Sequence, residues 1–453
     1  MAMKIFALGL RRKVFRSNWT ADQVSRTGRA VDDGFPTSAW KSIERVLKEN
    51  ILRFWYPEVV DQQHGGYRLN HGLDGRWRGP ANKSLVTQAR TLWFFSRLIN
   101  SDYRSDEYLA AARHGYEFLR DRMWDKEFGG FYWEVDSAGH NVVDPEKRLY
   151  GQAFGLYALT EYVKASGDTA GKASATQLFD LIETNAHDAR YGGYRENLQR
   201  DWSPPPTCAN SPPPIKRMNT HMHLLEALTT FFSLTHERIV RERLIELLFI
   251  NSNSVVRKDA GACTDQYFEN WKPRRGRNFD QVSYGHDVEN IWLLMEACRA
   301  AGINNAPLLD LCQTLFNYAL RYGYDRNGGF YYSGPLNAPA DRREKIWWVQ
   351  AEGLVAALHM FRMTEEEIYR ECFLKTLDWI INRQVDWHCG DWYESVGPDG
   401  KVTGVKTGPW KCPYHNGRAM LQCLEMLGEF GDRGPRMEPA SHEGQEEAQS
   451  NRR

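Results

Sequence analysis

The sequence has neither a surplus of one charge nor a long hydrophobic run. Its 58 lysines and arginines balance 58 aspartates and glutamates over 453 residues. Nucleic-acid-binding proteins usually carry a basic surplus, so this balance argues against a nucleic-acid partner. It also argues against electrostatic steering of a highly charged substrate. No segment is long and apolar enough to span a bilayer, which argues against a membrane protein.

Closely spaced cysteines and the common cofactor motifs are also missing. The eight cysteines include no C-x-x-C pair, so a zinc knuckle and a thioredoxin-like motif are excluded. They are scattered through apolar segments, as is typical of reduced, buried thiols in a cytosolic protein. Neither G-x-G-x-x-G nor a P-loop occurs, so nothing supports a nicotinamide or ATP site and we expect no cofactor.

The two ends of the chain differ from its middle. The first residues, "MAMKIFALGLRRKVFRS", contain an apolar run too short for a signal-peptide core, which predicts a cytoplasmic protein. We interpret residues 1–36 as an N-terminal extension and residues 432–453 as a disordered polar tail. Residues 37–431 show no internal boundary and predict one catalytic domain, interrupted by the Pro-rich loop 203–216.

A Gly-rich, aromatic motif recurs about every 65 residues along the chain. A fixed period of this kind indicates a repeated supersecondary unit. Paired glycines suit a turn with positive φ, and the alternating aromatics after them suit a short strand. The six copies are "HGGYRLN" at His64, "FGGFYWEVD" at Phe128, "YGGYREN" at Tyr191, the degenerate "AGACTDQYFENW" at Ala260, "NGGFYYS" at Asn327 and "CGDWYES" at Cys389.

The segments between these motifs have helical periodicity and are rich in alanine and leucine, as in "YGQAFGLYALTEYVKA" and "WWVQAEGLVAALHMF". Each unit therefore reads as helix, Gly-rich turn with a short hairpin, and helix. Twelve helices in six hairpins predict an all-α fold, a single (α/α)6 barrel. An open helical solenoid is the alternative, but neither end of the chain carries a polar capping repeat.

Polar side chains recur where the predicted inner helices begin. They are Arg90, the group Asn219, His221 and His223, the pair His286 and Glu289, and His415 in "GPWKCPYHNGRAM". Three of the four entrances carry histidine. A single such histidine is usually a core or capping residue, but three in one repeat protein favour a functional cluster.

Two of these histidines have a glutamate one helical turn further along, Glu226 after His223 and Glu289 after His286. The spacing places each carboxylate on the same helix face as its imidazole. A carboxylate that orients an imidazole also raises its basicity, which is a recurring catalytic arrangement. His-x-His and His-x-x-Glu are also metal-ligand spacings. The His-x-His opens a helix, so its two rings should diverge, and we expect no metal.

Four blocks, "RMNTHMHLLEA", "SYGHDVENIWLL", "IWWVQAE" and "WKCPYHNGR", together resemble the N-acylglucosamine 2-epimerase superfamily, most of all its cellobiose 2-epimerase branch. The resemblance runs from about Thr37 to Gly428. It implies an (α/α)6 barrel and metal-independent epimerisation at C2 of an aldose or of a reducing-end sugar. It places Arg90, His223, His286 and His415 on catalytic positions and Asn219, Glu289, Trp347 and Trp410 on substrate-contacting positions.

The chemistry of C2 epimerisation agrees with these residue types. The sugar ring must open, the C2 proton next to the aldehyde must leave, and a proton must return to the other face. Histidine is suited to such transfers near neutral pH. We expect His223 to open the ring, His286 and His415 to serve opposite faces, and Arg90 to stabilise the enediolate. Indoles suit stacking on sugar rings, although Trp347 lies in a nearly all-apolar helix and core packing is equally consistent.

Other classes remain open from the sequence. An aldose–ketose isomerase such as a mannose isomerase shares the enediolate, and an N-acylglucosamine 2-epimerase shares the family. A glycoside hydrolase would need two opposed carboxylates, for which Asp287, Glu289 and Glu352 are available. A non-catalytic helical scaffold predicts no convergent polar pocket. The expected partner is a small sugar, and the oligomeric state is left open.

Overall fold

The protein is described from a computed structural model, in which residues 35–206 and 215–429 are described. Most of the predicted N-terminal extension, the polar tail, most of the Pro-rich loop and Cys208 lie outside the described residues. The other cysteines are unpaired and buried, apart from the partly buried Cys389. Across the described ranges, no helix is long and apolar enough to cross a membrane.

The chain is mostly helical, as predicted. In chain order the α-helices are α1 (Thr37–Arg45), α2 (Arg53–Trp55), α3 (Leu85–Ile99), α4 (Asp106–Phe118), α5 (Leu149–Ser166), α6 (Thr169–Asn185), α7 (Met218–Thr235), α8 (Arg238–Phe249), α9 (Tyr284–Ala301), α10 (Leu309–Tyr322), α11 (Trp347–Thr364), α12 (Glu367–Trp379) and α13 (Tyr414–Glu429). Short π-helical segments follow α1, α4, α8 and α12, at Val46–Leu52, Leu119–Met123, Ile250–Ser254 and Ile380–Gln384, and a 3₁₀ turn, Ala306–Leu308, precedes α10.

Six of these helices form an inner ring. Helices α3, α5, α7, α9, α11 and α13 contact one another in that order, and α13 also contacts α3. Their residues are buried almost throughout, as expected for helices that are covered on all sides. The contact between the last and first inner helices closes the ring, so the open solenoid is not the arrangement of this chain.

The remaining long helices surround the ring. Helices α4, α6, α8, α10 and α12 each contact the inner helix that precedes them in the chain, and α1 contacts α13. They bury one face only, as in α6, where Leu178, Phe179 and Ile182 are buried. The Asp168 side chain accepts a hydrogen bond from the backbone of Ala170 and begins α6, and Gly167 in a left-handed conformation ends α5.

Short antiparallel strands connect neighbouring units. The strands are β1 (Lys83–Ser84), β2 (Glu134–Val135), β3 (Val142–Asp144), β4 (Ile215–Arg217), β5 (Val256–Arg257), β6 (Ala262–Cys263), β7 (Gln266–Phe268), β8 (Gln281–Ser283), β9 (Ser333–Pro335), β10 (Lys345–Ile346), β11 (Ser395–Val396) and β12 (Val402–Thr403). The sheet orders are β1-β2-β3, β10-β11-β12, β4-β7, β5-β6 and β8-β9. Strands β1, β4, β8 and β10 lead directly into inner helices, so the inner helices begin at the same end of the ring.

The predicted Gly-Gly turns are confirmed. Both glycines have positive φ in the copies at Gly65, Gly129, Gly192 and Gly328, and in the copy at Cys389 the second position is Asp391 with φ 52°. An added Cβ at Gly130 would lie 2.4 Å from the Trp202 ring. The turns therefore need glycine both for conformation and for space.

An ion pair between a buried lysine and an aspartate that is buried or partly buried holds each of five turns. In every case the lysine lies just before an inner helix or in the loop that leads to it, and the aspartate begins the turn. The pairs are Lys83–Asp61 at 2.7 Å, Lys147–Asp125 at 3.0 Å, Lys216–Asp188 at 2.7 Å, Lys345–Asp325 at 2.9 Å and Lys406–Asp386 at 2.8 Å. This repeated ion pair ties the chain that leads into five inner helices to the Gly-rich turns, and it was not predicted from the sequence.

Breaking one of these pairs should destabilise the fold. Lys147 and Asp125 are both fully buried, so Lys147→Met leaves a buried carboxylate with one cationic neighbour fewer. Arg200 also contacts Asp125 at 2.9 Å, and we therefore expect a loss of about 3 kcal/mol of unfolding free energy, at the low end for a broken buried pair. Urea unfolding followed by circular dichroism measures the change. The matched control is Lys172→Met on exposed surface, and equal stability of the two variants would contradict this account.

Candidate active site

His223 lies in the second turn of α7, and the predicted pairing with Glu226 is confirmed. The Nδ1–H of His223 donates to Glu226 Oε2 at 3.1 Å. Burial lowers the pKa of His223 to about 4, although the Glu226 carboxylate opposes the shift. The imidazole is therefore neutral at pH 7. Because Nδ1 carries the proton toward Glu226, Nε2 is the basic nitrogen.

His415 lies at the start of α13 and is also paired with a glutamate. No partner for His415 was predicted from the sequence. Its Nδ1–H donates to Glu352 Oε1 on α11 at 2.7 Å. The second oxygen of Glu352 accepts the indole N–H of Trp292 at 3.0 Å. Burial lowers the pKa of His415 well below its ordinary value, and the cations Arg90 and Arg418 add to the shift. His415 is thus a second neutral imidazole with a basic Nε2.

One buried guanidinium joins the carboxylates of both pairs. Arg418 donates to Glu289 Oε1 at 2.8 Å and to Glu352 Oε1 at 2.7 Å. It also donates to Glu226 and contacts the hydroxyl of Tyr414, which itself donates to Glu226. Arg418 therefore lies at the centre of three buried carboxylates from α7, α9 and α11.

The three carboxylates differ in charge. Burial alone would raise the pKa of Glu226, but Arg418, with His223 and Tyr414 as hydrogen-bond donors, lowers it to about 2. Burial and the nearby Glu352 raise the pKa of Glu289 well above its usual range. Burial also raises the pKa of Glu352, while Arg418 and the Trp292 N–H oppose the shift. The pKa values of Glu289 and Glu352 are therefore both raised, that of Glu289 more strongly, because one guanidinium cannot neutralise three neighbouring anions.

Glu289, Glu352 and His415 also have the composition of a metal site, since their ligand atoms lie within 4.8 Å of one another. One oxygen of each carboxylate, Oε1 of Glu289 and Oε1 of Glu352, already accepts a hydrogen bond from Arg418. A divalent ion bound by these oxygens would stand next to a buried, permanently charged guanidinium. The donor set therefore fits the arginine better than it fits a metal ion.

His286 lies in the first turn of α9, beside an indole rather than a carboxylate. Its ring lies 4.7 Å from the Trp348 ring at 33°, and the same indole lies 5.6 Å from the ring of His415. Burial lowers the pKa of His286 to about 4. The predicted pairing of His286 with Glu289 is wrong, because Glu289 Oε1 accepts from Arg418 and Oε2 has no partner among the described residues. Arg418 attracts this carboxylate more strongly than a neutral imidazole can.

Arg90 projects from α3 into an aromatic cage. Its Nη2 donates to the Tyr150 hydroxyl at 2.8 Å, and its guanidinium lies 4.0 Å from the Phe154 ring and 4.8 Å from the Tyr414 ring. His223 contacts the same cage, with its ring 4.7 Å from Phe154. The aromatic rings exclude water and hold Arg90 in place beside His223.

A cavity of about 580 Å³ opens at this end of the ring. Asn219 and His286 border it together with Ser283 and Tyr332, and charged residues form its rim: Arg217, Asp265, Arg277, Asp341 and Arg342. Arg90, His223 and His415 are buried more deeply. The Oδ1 of Asn219 has no hydrogen-bond partner within the described ranges, so it is free to bind a ligand in this cavity.

The two predicted tryptophans have different environments. Trp410 is 51% exposed and its ring lies 6.0 Å from Tyr150, so it stands at the mouth. Trp347 is only 5% exposed, and its ring lies 6.3 Å from His415. Its neighbour Trp348 is partly exposed and contacts both His286 and His415. Trp348 is therefore the indole of this pair that is better placed to contact a ligand.

His221 has a structural role. Its Nε2 accepts the backbone N–H of Tyr194 at 2.9 Å and its Nδ1–H donates to the Arg217 carbonyl at 2.7 Å. In the neighbouring units a glutamine occupies this role, as Gln152 does by bonding both backbone groups of Phe131. The two rings of the His-x-His motif diverge, as predicted.

Several site residues were missed from the sequence: Tyr150, Phe154, Trp292, Trp348, Tyr414 and Arg418. Arg418 carried a detectable signal, since it follows His415 by three residues on an otherwise apolar helix. The aromatic residues carried none, because aromatics at helical spacing are usually core residues.

A closed ring of helices that buries two neutral, carboxylate-oriented imidazoles beside an arginine has side chains suited to proton transfer. The sequence model of the family described as N-acylglucosamine 2-epimerase (GlcNAc 2-epimerase) matches residues 65–419. The chain therefore belongs to the N-acylglucosamine 2-epimerase family. The family and its curated relatives are carbohydrate epimerases, so the enzyme class is isomerase.

The matches with known proteins extend over nearly the full length of each relative. The chain is 31% identical over 400 residues to a cellobiose 2-epimerase of Bacteroides fragilis, covering 86% of this chain and 98% of that protein. It is 24% identical to a D-mannose isomerase of Marinomonas mediterranea, covering 87% and 99%. The solved structure of a cellobiose 2-epimerase from Bacillus thermoamylovorans superposes with a TM-score of 0.80 at 30% identity, covering 86% and 99%. The helical fold is therefore shared with sugar epimerases.

The depressed histidine pKa values can be tested without any substrate. His223 and His286 should titrate near pH 4, whereas the ordinary value is about 6.5. The unfolded chain binds these protons near pH 6.5, so their contribution to folding stability decreases as the pH falls from about 6.5 to about 4. Long-range ¹H–¹⁵N NMR of the imidazoles, assigned with His223→Asn and His286→Asn, measures the titration. The urea-unfolded protein is the reference, and midpoints near 6.5 in the folded protein would refute the assignment.

Proposed function

We propose that this protein is a carbohydrate 2-epimerase that acts at C2 of an aldose or of the reducing-end sugar of a disaccharide, of the cellobiose to glucosyl-mannose type. We propose with it that the ring of helices is the (α/α)6 barrel of this family. The observation that carries the proposal is the pair of neutral imidazoles, His223 with Glu226 and His415 with Glu352, at one mouth of the ring. Such groups accept and return protons near neutral pH.

The proposed C2 chemistry uses His286 and His415. They begin different helices, α9 and α13, and face the same indole, Trp348. One imidazole removes the C2 proton and the other returns a proton to the opposite face of the enediolate. Their neutral form is the base that this step needs, and the buried site keeps them neutral at pH 7.

Neighbouring groups open the sugar ring and stabilise the charge of the enediolate. His223, oriented by Glu226, exchanges protons with the hemiacetal oxygens. Arg90 is fixed by Tyr150 and stabilises the enediolate oxygen, since its guanidinium stays charged at any working pH. Asn219 and Trp410 bind the sugar at the mouth. Trp347 and the partly exposed Trp348 also contact the sugar. The protonated Glu289 contacts the substrate as a hydrogen-bond donor, because its Oε2 has no protein partner in the described chain.

An aldose–ketose isomerase is the second candidate, and an N-acylglucosamine 2-epimerase is the third. The D-mannose isomerase of Marinomonas mediterranea is related over 87% of this chain. Isomerase and epimerase share the enediolate and differ in which carbon receives the proton. The epimerase is favoured because the cellobiose 2-epimerases are the more similar relatives, at 30–32% identity.

A glycoside hydrolase fits the site less well. Hydrolysis requires two carboxyl groups on opposite sides of the scissile bond. Glu289 and Glu352 both accept hydrogen bonds from Arg418, and Asp287 Oδ1 accepts the backbone N–H of Cys263. Glu289 and Glu352 are therefore neighbours around one guanidinium rather than an opposed pair across a substrate, and Asp287 is bound to the backbone.

Isotope labelling tests the function. With EDTA-dialysed enzyme in D2O, cellobiose, glucose and mannose are supplied separately, and products are followed by NMR. We expect deuterium at C2 of an epimeric product and an intact glycosidic bond, because the proton returned comes from a solvent-exchanged imidazole. Label at C1 of a ketose would support the isomerase. Release of free glucose from cellobiose without label at C2, or activity restored only by a divalent ion, would contradict the proposal.

Single substitutions test the two-base assignment. His415→Asn removes the titrating nitrogen and should lower epimerisation by about 10²–10⁴, the range for losing a general base. One epimer should still exchange its C2 proton with D2O through His286, and His286→Asn should show the same behaviour with the other epimer. His221→Gln is the matched control, because glutamine fills the equivalent role in neighbouring units. Exchange of the same epimer by both variants would indicate a single base.

A further inference from the structure

A second cavity lies at the opposite end of the ring. Its volume is about 200 Å³, and its lining residues come from five inner helices. They are Trp93 and Arg97 on α3, Tyr157, Glu161 and Lys164 on α5, Glu226, Thr229 and Thr230 on α7, Trp292, Leu293 and Glu296 on α9, and Arg418 and Gln422 on α13. His223, Glu226 and Thr230 follow one another at helical spacing on α7, as do His415, Arg418 and Gln422 on α13. We call this space the distal cavity. Glu226 and Arg418 form its inner wall and separate it from the imidazoles.

Three residues that line the distal cavity each have a buried polar atom with no hydrogen-bond partner among the described residues. These atoms are the Trp93 indole N–H, the Arg418 Nε–H and the Gln422 side-chain oxygen. Trp93 is 3% exposed and Arg418 is 1% exposed. Buried donors and acceptors of this kind are normally satisfied by ordered water.

The composition of the walls also favours water. Three cations, Arg97, Lys164 and Arg418, balance three acids, Glu161, Glu226 and Glu296, so the cavity has no preference for an ion of one sign. A volume of about 200 Å³ accommodates about six waters at roughly 30 Å³ each. Lys164 and Glu296 are partly exposed, and the cavity therefore reaches the surface.

We propose that the distal cavity is a hydrated chamber through which the His223–Glu226 pair exchanges protons with bulk solvent, from the end of the ring opposite the sugar. The proposal rests on the proposed function, in which a bound sugar covers the mouth above His223. When His223 Nε2 takes a proton from a hemiacetal oxygen of the sugar, the Nδ1 proton of the resulting imidazolium passes to a Glu226 oxygen and from there to a chamber water, which leaves a neutral imidazole and an ionised Glu226. The return path is the reverse, so no charge accumulates in the core.

Hydration can be measured without any sugar, through the exchange of indole N–H groups in ¹⁵N-tryptophan protein placed in D2O. Trp55 is the internal control, because its N–H is buried without a partner in the described chain and borders neither cavity. We expect the Trp93 N–H to exchange at least about tenfold faster than the Trp55 N–H, with assignments from Trp93→Phe and Trp55→Phe. Equal protection of the two groups would overturn the proposal.

Filling the chamber tests the proton route. Thr230→Met extends a side chain into the chamber, and Ser233→Met is the control on the exposed face of the same helix. We expect Thr230→Met to slow Trp93 exchange and to lower kcat about tenfold with KM unchanged, together with a larger solvent isotope effect on kcat. Gln422→Leu, which keeps the volume but removes the polar oxygen, should act in the same direction.

The outcomes separate this proposal from the proposed function. Slowed Trp93 exchange with unchanged kcat in both chamber variants would overturn the proton route and leave the epimerase assignment intact. A protein that labels no sugar at C2 would overturn the proposed function, whatever the Trp93 exchange rate. Loss of kcat with a larger isotope effect in the chamber variants, but not in Ser233→Met, would support the proposal.

Discussion

The contact on which the site depends is the buried ion cluster around Arg418. One guanidinium from α13 donates to glutamates of α7, α9 and α11, and so joins four of the six inner helices at the axis of the ring. Burying a charge is costly unless it is paired and hydrogen-bonded. The cluster meets that requirement with one guanidinium shared by three carboxyl groups, of which Glu226 has a lowered pKa and Glu289 and Glu352 have raised pKa values. The helices must therefore meet at this point and in this register.

The orientation and the basic nitrogen of His223 and His415 depend on the same cluster. Glu226 orients His223 and Glu352 orients His415, while Arg418 holds both glutamates from the other side. Each glutamate is thereby prevented from turning away from its histidine, and each histidine keeps Nε2 as its basic nitrogen. The site is preorganised in the sense that the protein has already placed its charges before a substrate arrives.

The rim of the ring is held by other contacts than the buried ion cluster. Repeated lysine–aspartate pairs fix the turns that lead into the inner helices, and glutamine side chains bond the backbone beside them. Solved structures of a cellobiose 2-epimerase and of a D-mannose isomerase share this fold.

Several features could be predicted from the sequence, because each depends on residues that are near one another in the chain. They are the repeat period, the helices, the glycine turns and the three histidine entrances. The His223–Glu226 pair belongs to this group, since its partners lie one helical turn apart. The same local rule predicted a His286–Glu289 pair, and there it failed. Glu289 also faces Arg418, 129 residues away, and a charge competes better for a carboxylate than a neutral ring does.

The partner of His415 could only be decided by the tertiary structure. Glu352 lies 63 residues before it on a different helix, and no spacing rule connects two positions whose distance is set by closure of the ring. The different exposure of Trp347 and Trp348 also depends on the tertiary structure, because adjacent residues on a helix point in different directions and the neighbouring helices determine which one is covered. The sequence by itself determined which chemical groups this protein has. Packing of the six inner helices determined which of them touch, because burial makes every unpaired charge costly and leaves few arrangements that satisfy them all.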